Sequence, residues 1–327
     1  MADSVTQLRG EPLVEVTRDG MVESVHCVAV CAVDDAGNDL LAIGSVDAPV
    51  FLRSTAKPFI ASAIVASGAA DRYQLDDREI AVISASHSAQ PIHISAVRSI
   101  LSKIGMDEAA LQCGPEGEGY PPQPIYNNCS GKHAGILALC KTMGSDPQSY
   151  RDPQNPAQRV ILDVCARMSG VRRDELHVGI DGCGVPVYAV PLRAAAHSYM
   201  RLACGEGLDL RHSRALRRVR DAMIAYPEFV SGSGEFDAEL MRAGGGALAC
   251  KGGAEGVHGI ALIDRRAGVV LKVADGNSRA RPPAAIAVLG MLHALPQARL
   301  DALAAFARPA VHNKAGLQVG EIRGVVA

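Results

Sequence analysis

The sequence predicts an α/β (α+β) fold whose sheet is built from both chain ends, with a helical lobe inserted between them. Three observations lead there. Residues 11–50 read as strands, residues 57–225 read mainly as helices, and residues 257–274 return to strands. One domain over 1–327 is expected. Its sheet lobe would take residues 1–55 and 245–327, its mainly helical lobe 56–244, and a small molecule would bind in the cleft between them.

Each element has a local reason. Leu13-Val14-Glu15-Val16-Thr17-Arg18 alternates, and Asp19-Gly20 is a turn dipeptide. Residues 24–33 are β-rich, Asp34-Asp35-Ala36-Gly37-Asn38 turns, and 39–44 runs back. The apolar run 59–66 is a helix stopped by Ser67-Gly68. Ile80-Ala81-Val82-Ile83 fits a short strand or a buried helical turn. Residues 91–105, 133–143, 155–169, 191–204 and 213–225 carry helical periodicity. Residues 257–264 and 268–274 flank a tight turn as a hairpin, and a helix over 283–295 follows.

The bulk numbers exclude several classes. A chain of 327 residues with 48% hydrophobic content has ample core. A net charge of −2 gives nucleic acid no basic surface, and 4% aromatics with no Trp leaves no stacking platform. No apolar run approaches the ~20 residues of a membrane span. Met1-Ala2-Asp3-Ser4-Val5-Thr6-Gln7 lacks a basic and apolar leader, so no signal peptide is expected. Nine cysteines without an export signal point to free thiols and a cytoplasmic protein.

Four stretches carry reactive side chains. In Arg53-Ser54-Thr55-Ala56-Lys57, hydroxyl and amine are three residues apart, which on a helix sets their Cβ atoms about 5–6 Å apart on one face. A neutral lysine there can take the serine proton. Pro58 disfavours helical backbone at Lys57, so the pair is expected to meet across a turn at the helix start. Ser84-Ala85-Ser86-His87-Ser88-Ala89-Gln90-Pro91 reads as a polar turn capping the next helix, or as a second hydroxyl facing the same cleft. Tyr126-Asn127-Asn128-Cys129-Ser130-Gly131-Lys132-His133-Ala134-Gly135 and Asp181-Gly182-Cys183-Gly184 each present a cysteine in a glycine-flanked turn. Two thiolates and a third group, His133 or Asp181, could hold zinc, although two buried structural thiols explain the pair equally. In Lys251-Gly252-Gly253 a lysine followed by small residues lets a substrate approach an edge strand closely. Ala274-Asp275-Gly276-Asn277-Ser278-Arg279-Ala280 is adequately explained as a polar turn.

Taken together, these stretches resemble a known pattern. Ser-x-x-Lys early and Lys-Gly-Gly late bracket the chain as in serine β-lactamases and penicillin-binding proteins. More specifically, the chain resembles the L-asparaginase II family of the Rhizobium type, with Cys-Ser-Gly-Lys-His-Ala-Gly at 129–135 the most specific match. The resemblance implies a serine β-lactamase/glutaminase-like fold and hydrolysis of L-asparagine to L-aspartate and ammonia. It implies two serine–lysine pairs, Ser54 with Lys57 and Ser86 with Lys251. It also implies zinc held by Cys129, Lys132 and Cys183, which moves His133 and Asp181 to substrate or zinc-bound water. Arg53 would receive the substrate carboxylate. No nucleic acid or membrane partner is expected, and the expected assembly is a homodimer. Gly252, where the lactamases carry threonine, bears on substrate preference. The competing readings are a glutaminase or β-lactamase-like hydrolase of the same fold, a non-catalytic zinc-binding protein, and a redox-sensing thiol protein.

Overall fold

Asp19 and Gly20 both take left-handed backbone, with φ of 48° and 81°. That is the primed two-residue turn whose twist suits a hairpin, and it folds β1 (Glu11–Arg18) onto β2 (Met21–Val33). The computed structural model describes residues 8–325 except Glu118 and Tyr120; the segment read for a leader, Met1 to Gln7, lies outside them. β3 (Asp39–Ile43) returns along β2, as the pattern predicts. β4 (Pro49–Phe51) then leaves this sheet.

The late strands are β7 (Leu248–Gly253), β8 (Val257–Leu262), β9 (Ala267–Val273), β10 (Ala310–His312) and β11 (Gln318–Gly324). β9 pairs with β2, and β11 with β1. The eight-stranded sheet runs β10-β11-β1-β2-β9-β8-β7, with β3 on β2. Both chain ends therefore build it, and β7, which carries Lys251, closes one edge.

The longer helices fill the middle of the chain: α1 (Lys57–Ala66), α2 (Asp77–Ile83), α3 (Pro91–Lys103), α4 (Ser130–Met143), α5 (Pro156–Ser169), α6 (Leu192–Cys204), α7 (Leu210–Ala225) and α8 (Phe236–Gly244). Residues 80–83 are thus helical, started by a capping box in which Asp76 and Glu79 satisfy each other's backbone amides. α6 joins the lobes by lying on the sheet. A Cβ on Gly268 would sit 2.1 Å from the Ala196 carbonyl oxygen, and one on Gly259 2.1 Å from the Tyr199 ring. Only glycine at both positions lets the helix approach this closely.

Two expectations change. The helix predicted over 283–295 is α9 (Arg281–Met291). It starts earlier because prolines are well tolerated in a first helical turn. It ends earlier because His293 has φ of 47°, which breaks the helix. Residues 177–191 contain more than a glycine turn. β5 (His177–Ile180) and β6 (Pro186–Pro191) form a hairpin, and β4 joins them in a second, three-stranded sheet. This sheet crosses the lobe boundary drawn from sequence. Among the described residues no helix is long and apolar enough to cross a membrane.

Candidate active site

The cleft between the lobes, about 470 Å³, is lined by Arg53, Ser54, Ser86, Cys129, Asp181, Cys183 and Lys251 among others. Seven of the ten residues singled out from sequence therefore share one wall system. Lys57 and Lys132 lie just behind it, each bonded to a lining residue.

Ser54 sits in a tight 3-10 turn, Arg53–Ala56, that leads straight into α1. The Lys57 amide donates to the Ser54 carbonyl, so the two side chains lie three residues apart on a 3-10 turn, where such positions eclipse. The helix begins beside Pro58, but Lys57 is itself helical, with φ of −60° and ψ of −37°, so Pro58 does not exclude helical backbone there as expected. The Tyr199 hydroxyl donates to the Thr55 carbonyl at 2.9 Å and Thr55 Oγ1 donates to the Leu52 carbonyl, which pins the turn to α6 and to itself. Ser54 Oγ makes no hydrogen bond among the described residues. β7 ends against this turn, and a Cβ on Gly253 would lie 3.3 Å from the Ser54 amide nitrogen.

The hydrogen-bonded serine–lysine pair is not one of the two expected. Lys57 Nζ donates to Ser86 Oγ at 2.9 Å, and also to the carbonyls of Ala85 and Asn128. Lys251 Nζ instead meets Asp237 Oδ2 at 3.3 Å and the Gly252 carbonyl at 2.8 Å. Both lysines are about 1% exposed, so desolvation dominates. Burial, with Lys132 nearby, pulls the Lys57 amine down against the pull of Cys129. Burial also lowers Lys251, with Lys57 and Arg281 helping, but Asp237 opposes and leaves it at about 8. Asp237 is held far below the usual carboxylate range. Burial would raise it, yet Lys251, Arg281, His258 and the Gly252 amide outweigh that.

Cys129 stands at the start of α4. Glycine at 131 and 135 is what brings that helix end into the site: a Cβ on Gly131 would lie 2.2 Å from the Val82 carbonyl oxygen, and one on Gly135 2.8 Å from Ile83. Cys183 comes from the tip of the β5–β6 hairpin, where Gly184 has φ of 87°. Lys132 Nζ donates to Cys183 Sγ at 3.0 Å, and Cys129 Sγ donates to Asn128 Oδ1 at 3.1 Å. Burial works to lower the Lys132 amine, but both sulfurs and Asp181 outweigh it and keep it charged. Lys132 and Cys183 are thus in contact from segments about fifty residues apart, and Cys129 lines the same cleft as Cys183.

The remaining expected residues differ in placement. Arg53 has φ of 48° and donates through Nε to Asp181 Oδ1 at 2.8 Å. A guanidinium committed in this way offers no free fork through Nε. His133 is fully buried behind the cleft, with Nδ1 2.6 Å from the Tyr150 hydroxyl. It is not among the residues lining the cleft. Asp237 and Arg281, both lining the cleft, escaped the sequence reading. An acid in a first helical turn and an arginine before two prolines look like ordinary helix starts. Asp237 also belongs to a buried group with Cys250 and His258, whose donor atoms all lie within 4.8 Å of one another and which could bind a metal.

A mixed α/β fold with its sheet drawn from both chain ends and a helical insert is shared with a solved structure. The solved structure of Mglu in its native form superposes with a TM-score of 0.50 at 17% identity, over 88% of this chain and 69% of that one. A β-lactamase-type structure from Bacteroides dorei DSM 17855 covers 87% of this chain and 95% of its own at 11% identity, with a TM-score of 0.43. At such identities the likeness to Mglu concerns the fold alone. No curated protein matches. The chain itself belongs to the L-asparaginase II family of amidohydrolases, whose model matches residues 14–324.

Proposed function

We propose that this protein hydrolyses L-asparagine to L-aspartate and ammonia through an acyl-enzyme on Ser54. The observation that carries this reading is Lys57, a buried amine one 3-10 turn from Ser54 and hydrogen-bonded to Ser86, in a chain of this family. Lys57 in its neutral form takes the Ser54 proton as Oγ attacks the side-chain amide carbon. The tetrahedral adduct then breaks its C–N bond. Ser86 gives its proton to the departing nitrogen, which leaves as ammonia, and Lys57 returns a proton to Ser86. Water cleaves the ester with the same groups acting in reverse. Lys251 contributes positive charge beside the developing oxyanion. Arg53 and Asp181 form the opposite wall and bind the substrate as a pair, with His133 behind them.

Ammonia release from L-asparagine, from L-glutamine and from a chromogenic β-lactam assayed in parallel tests the substrate. Turnover of L-glutamine or the β-lactam in preference to L-asparagine would overturn the reading. The Lys57–Ser86 bond supports a second reading, in which Ser86 is the nucleophile. Mass spectrometry of acyl-enzyme in Ser54→Ala and Ser86→Ala decides between them: the adduct is expected to vanish in Ser54→Ala and to remain detectable in Ser86→Ala.

The donor set of Cys129, Lys132 and Cys183 fits zinc in one respect: the two cysteines line one cleft, the Lys132 amine bonds to one of them, and both sulfurs favour a positive charge there. Zinc would be held by these three residues once the amine and both thiols have lost their protons. When bound it would supply fixed positive charge beside the substrate. Cys183→Ser is expected to lower zinc stoichiometry, and an unchanged metal content would remove the site. The nine cysteines are unpaired, in keeping with a cytoplasmic setting. A homodimer remains part of this proposal, to be measured by sedimentation equilibrium.

A further inference from the structure

We propose that Arg281 receives the α-carboxylate of the amino-acid substrate, through a guanidinium seated in the slot left by Gly252. The inference rests on the amide-hydrolysis reading above and names the specificity element of the same cleft. Arg281 opens α9 and lines the cleft with Ser54, Ser86 and Lys251. Its Nη1 lies 1.4 Å from where a Cβ on Gly252 would be. No side chain can coexist with that placement, so glycine after Lys251 is a requirement of the arginine's position.

The two arginines of the cleft differ in what they have left to give. Arg53 donates Nε to Asp181 at 2.8 Å and has Glu255 at 4.0 Å from Nη1. The Arg281 side chain makes no hydrogen bond among the described residues, and its Nε is buried without a partner. Its nearest carboxylate oxygen, Asp237 Oδ1, is 4.0 Å away, beyond hydrogen-bond reach, and Oδ1 is itself unpartnered. Oδ2 of the same residue is taken by the Gly252 amide at 2.7 Å and by Lys251. Asp237 therefore holds the guanidinium in place without satisfying it. Buried donors without partners are costly and rare, and a planar fork is the group that binds a carboxylate through two parallel bonds. Asparagine carries its α-carboxylate and its side-chain amide on one short chain, so a cleft of this size reaches both.

The test compares L-asparagine with its α-carboxamide analogue, L-asparaginamide, which lacks the charge. Arg281→Gln is expected to raise KM for L-asparagine by roughly 10- to 100-fold, the range of a lost charge-assisted hydrogen bond, with a far smaller change in kcat. KM for L-asparaginamide should hardly move. Gly252→Ala keeps the charge but fills the slot, and it should reproduce the same selective loss. Equal losses on both substrates, or a selective loss in Arg53→Gln instead, would overturn the assignment. Calorimetric titration with L-aspartate separates this from a failure of the hydrolysis reading. An Arg281-dependent aspartate site in a protein that releases no ammonia would sink the activity and leave the carboxylate site standing. Absent aspartate binding, or equal binding by wild type and Arg281→Gln, would sink the site.

Discussion

Lys57 and Lys251 are both fully buried at the same cleft, yet their surroundings differ in one decisive way. Lys57 meets a hydroxyl and two carbonyls, with the Cys129 sulfur nearby and no carboxylate within bonding reach among the described residues. Lys251 meets Asp237. Burial pushes both amines down, but a carboxylate restores much of what desolvation removes. The two lysines thus differ in the anion beside them, the Cys129 sulfur for Lys57 and the Asp237 carboxylate for Lys251. In the proposed mechanism Lys57 works as the proton acceptor and Lys251 as fixed charge.

The comparison breaks most easily at Lys57. Lys57→Met is expected to cost about a thousandfold in kcat, within the usual range for losing a general base and acid together. Lys251→Met removes only electrostatic support, and about a hundredfold is expected. Both are read as ammonia release from L-asparagine, with circular dichroism confirming the fold. A larger loss at Lys251 than at Lys57 would reverse the assigned roles. A smaller effect is expected one layer out. Tyr199→Phe removes the donor to the Thr55 carbonyl, which loosens the turn holding Ser54. A loss of roughly tenfold in kcat would match one buried carbonyl left unpaired at ~1–3 kcal/mol, part of it felt at the site. Unaltered kcat would show that the turn is held without it.

Much of this was legible in the chain because local chemistry and global fold agree there. Asp19-Gly20 predicts its own turn, the period-2 runs predict their strands, and Pro58 predicts where α1 begins. Glycines at 131 and 135 were visible as an oddity of the segment, but their reason is a neighbour: the Val82 carbonyl and Ile83 stand where a Cβ would go. What sequence missed is what only packing decides. β5 and β6 are short, and they become strands as a hairpin to which β4 adds, pairing with β6 from a segment well over a hundred residues earlier. The choice of partner for each lysine depends on side-chain reach across helices, which spacing along the chain does not encode. Asp237 and Arg281 sit in ordinary-looking helix starts and acquire meaning only when α8 and α9 converge on Gly252.

The finest test of the division between the lysines changes a charge and not a shape. Asp237→Asn keeps an oxygen for the Gly252 amide but removes the acid beside Lys251. The charged groups facing Lys251 are Asp237 from α8, Lys57 from α1 and Arg281 from α9, with neutral His258 on the adjacent strand. Only Asp237 favours the ammonium. Lys251 titrates at about 8 with it present, so charge at that position is full below this pH and lost above it. If the ammonium is the working form, wild-type activity falls on an alkaline limb near pH 8. Removing Asp237 must lower the lysine further, because desolvation and two cations then act unopposed. The alkaline limb is therefore expected to move to lower pH by about one unit or more, with the activity remaining below the limb reduced only a few-fold. A limb that stays in place, or moves to higher pH, would show that Lys251 does not work as the ammonium, and the contrast with Lys57 would lose its electrostatic basis.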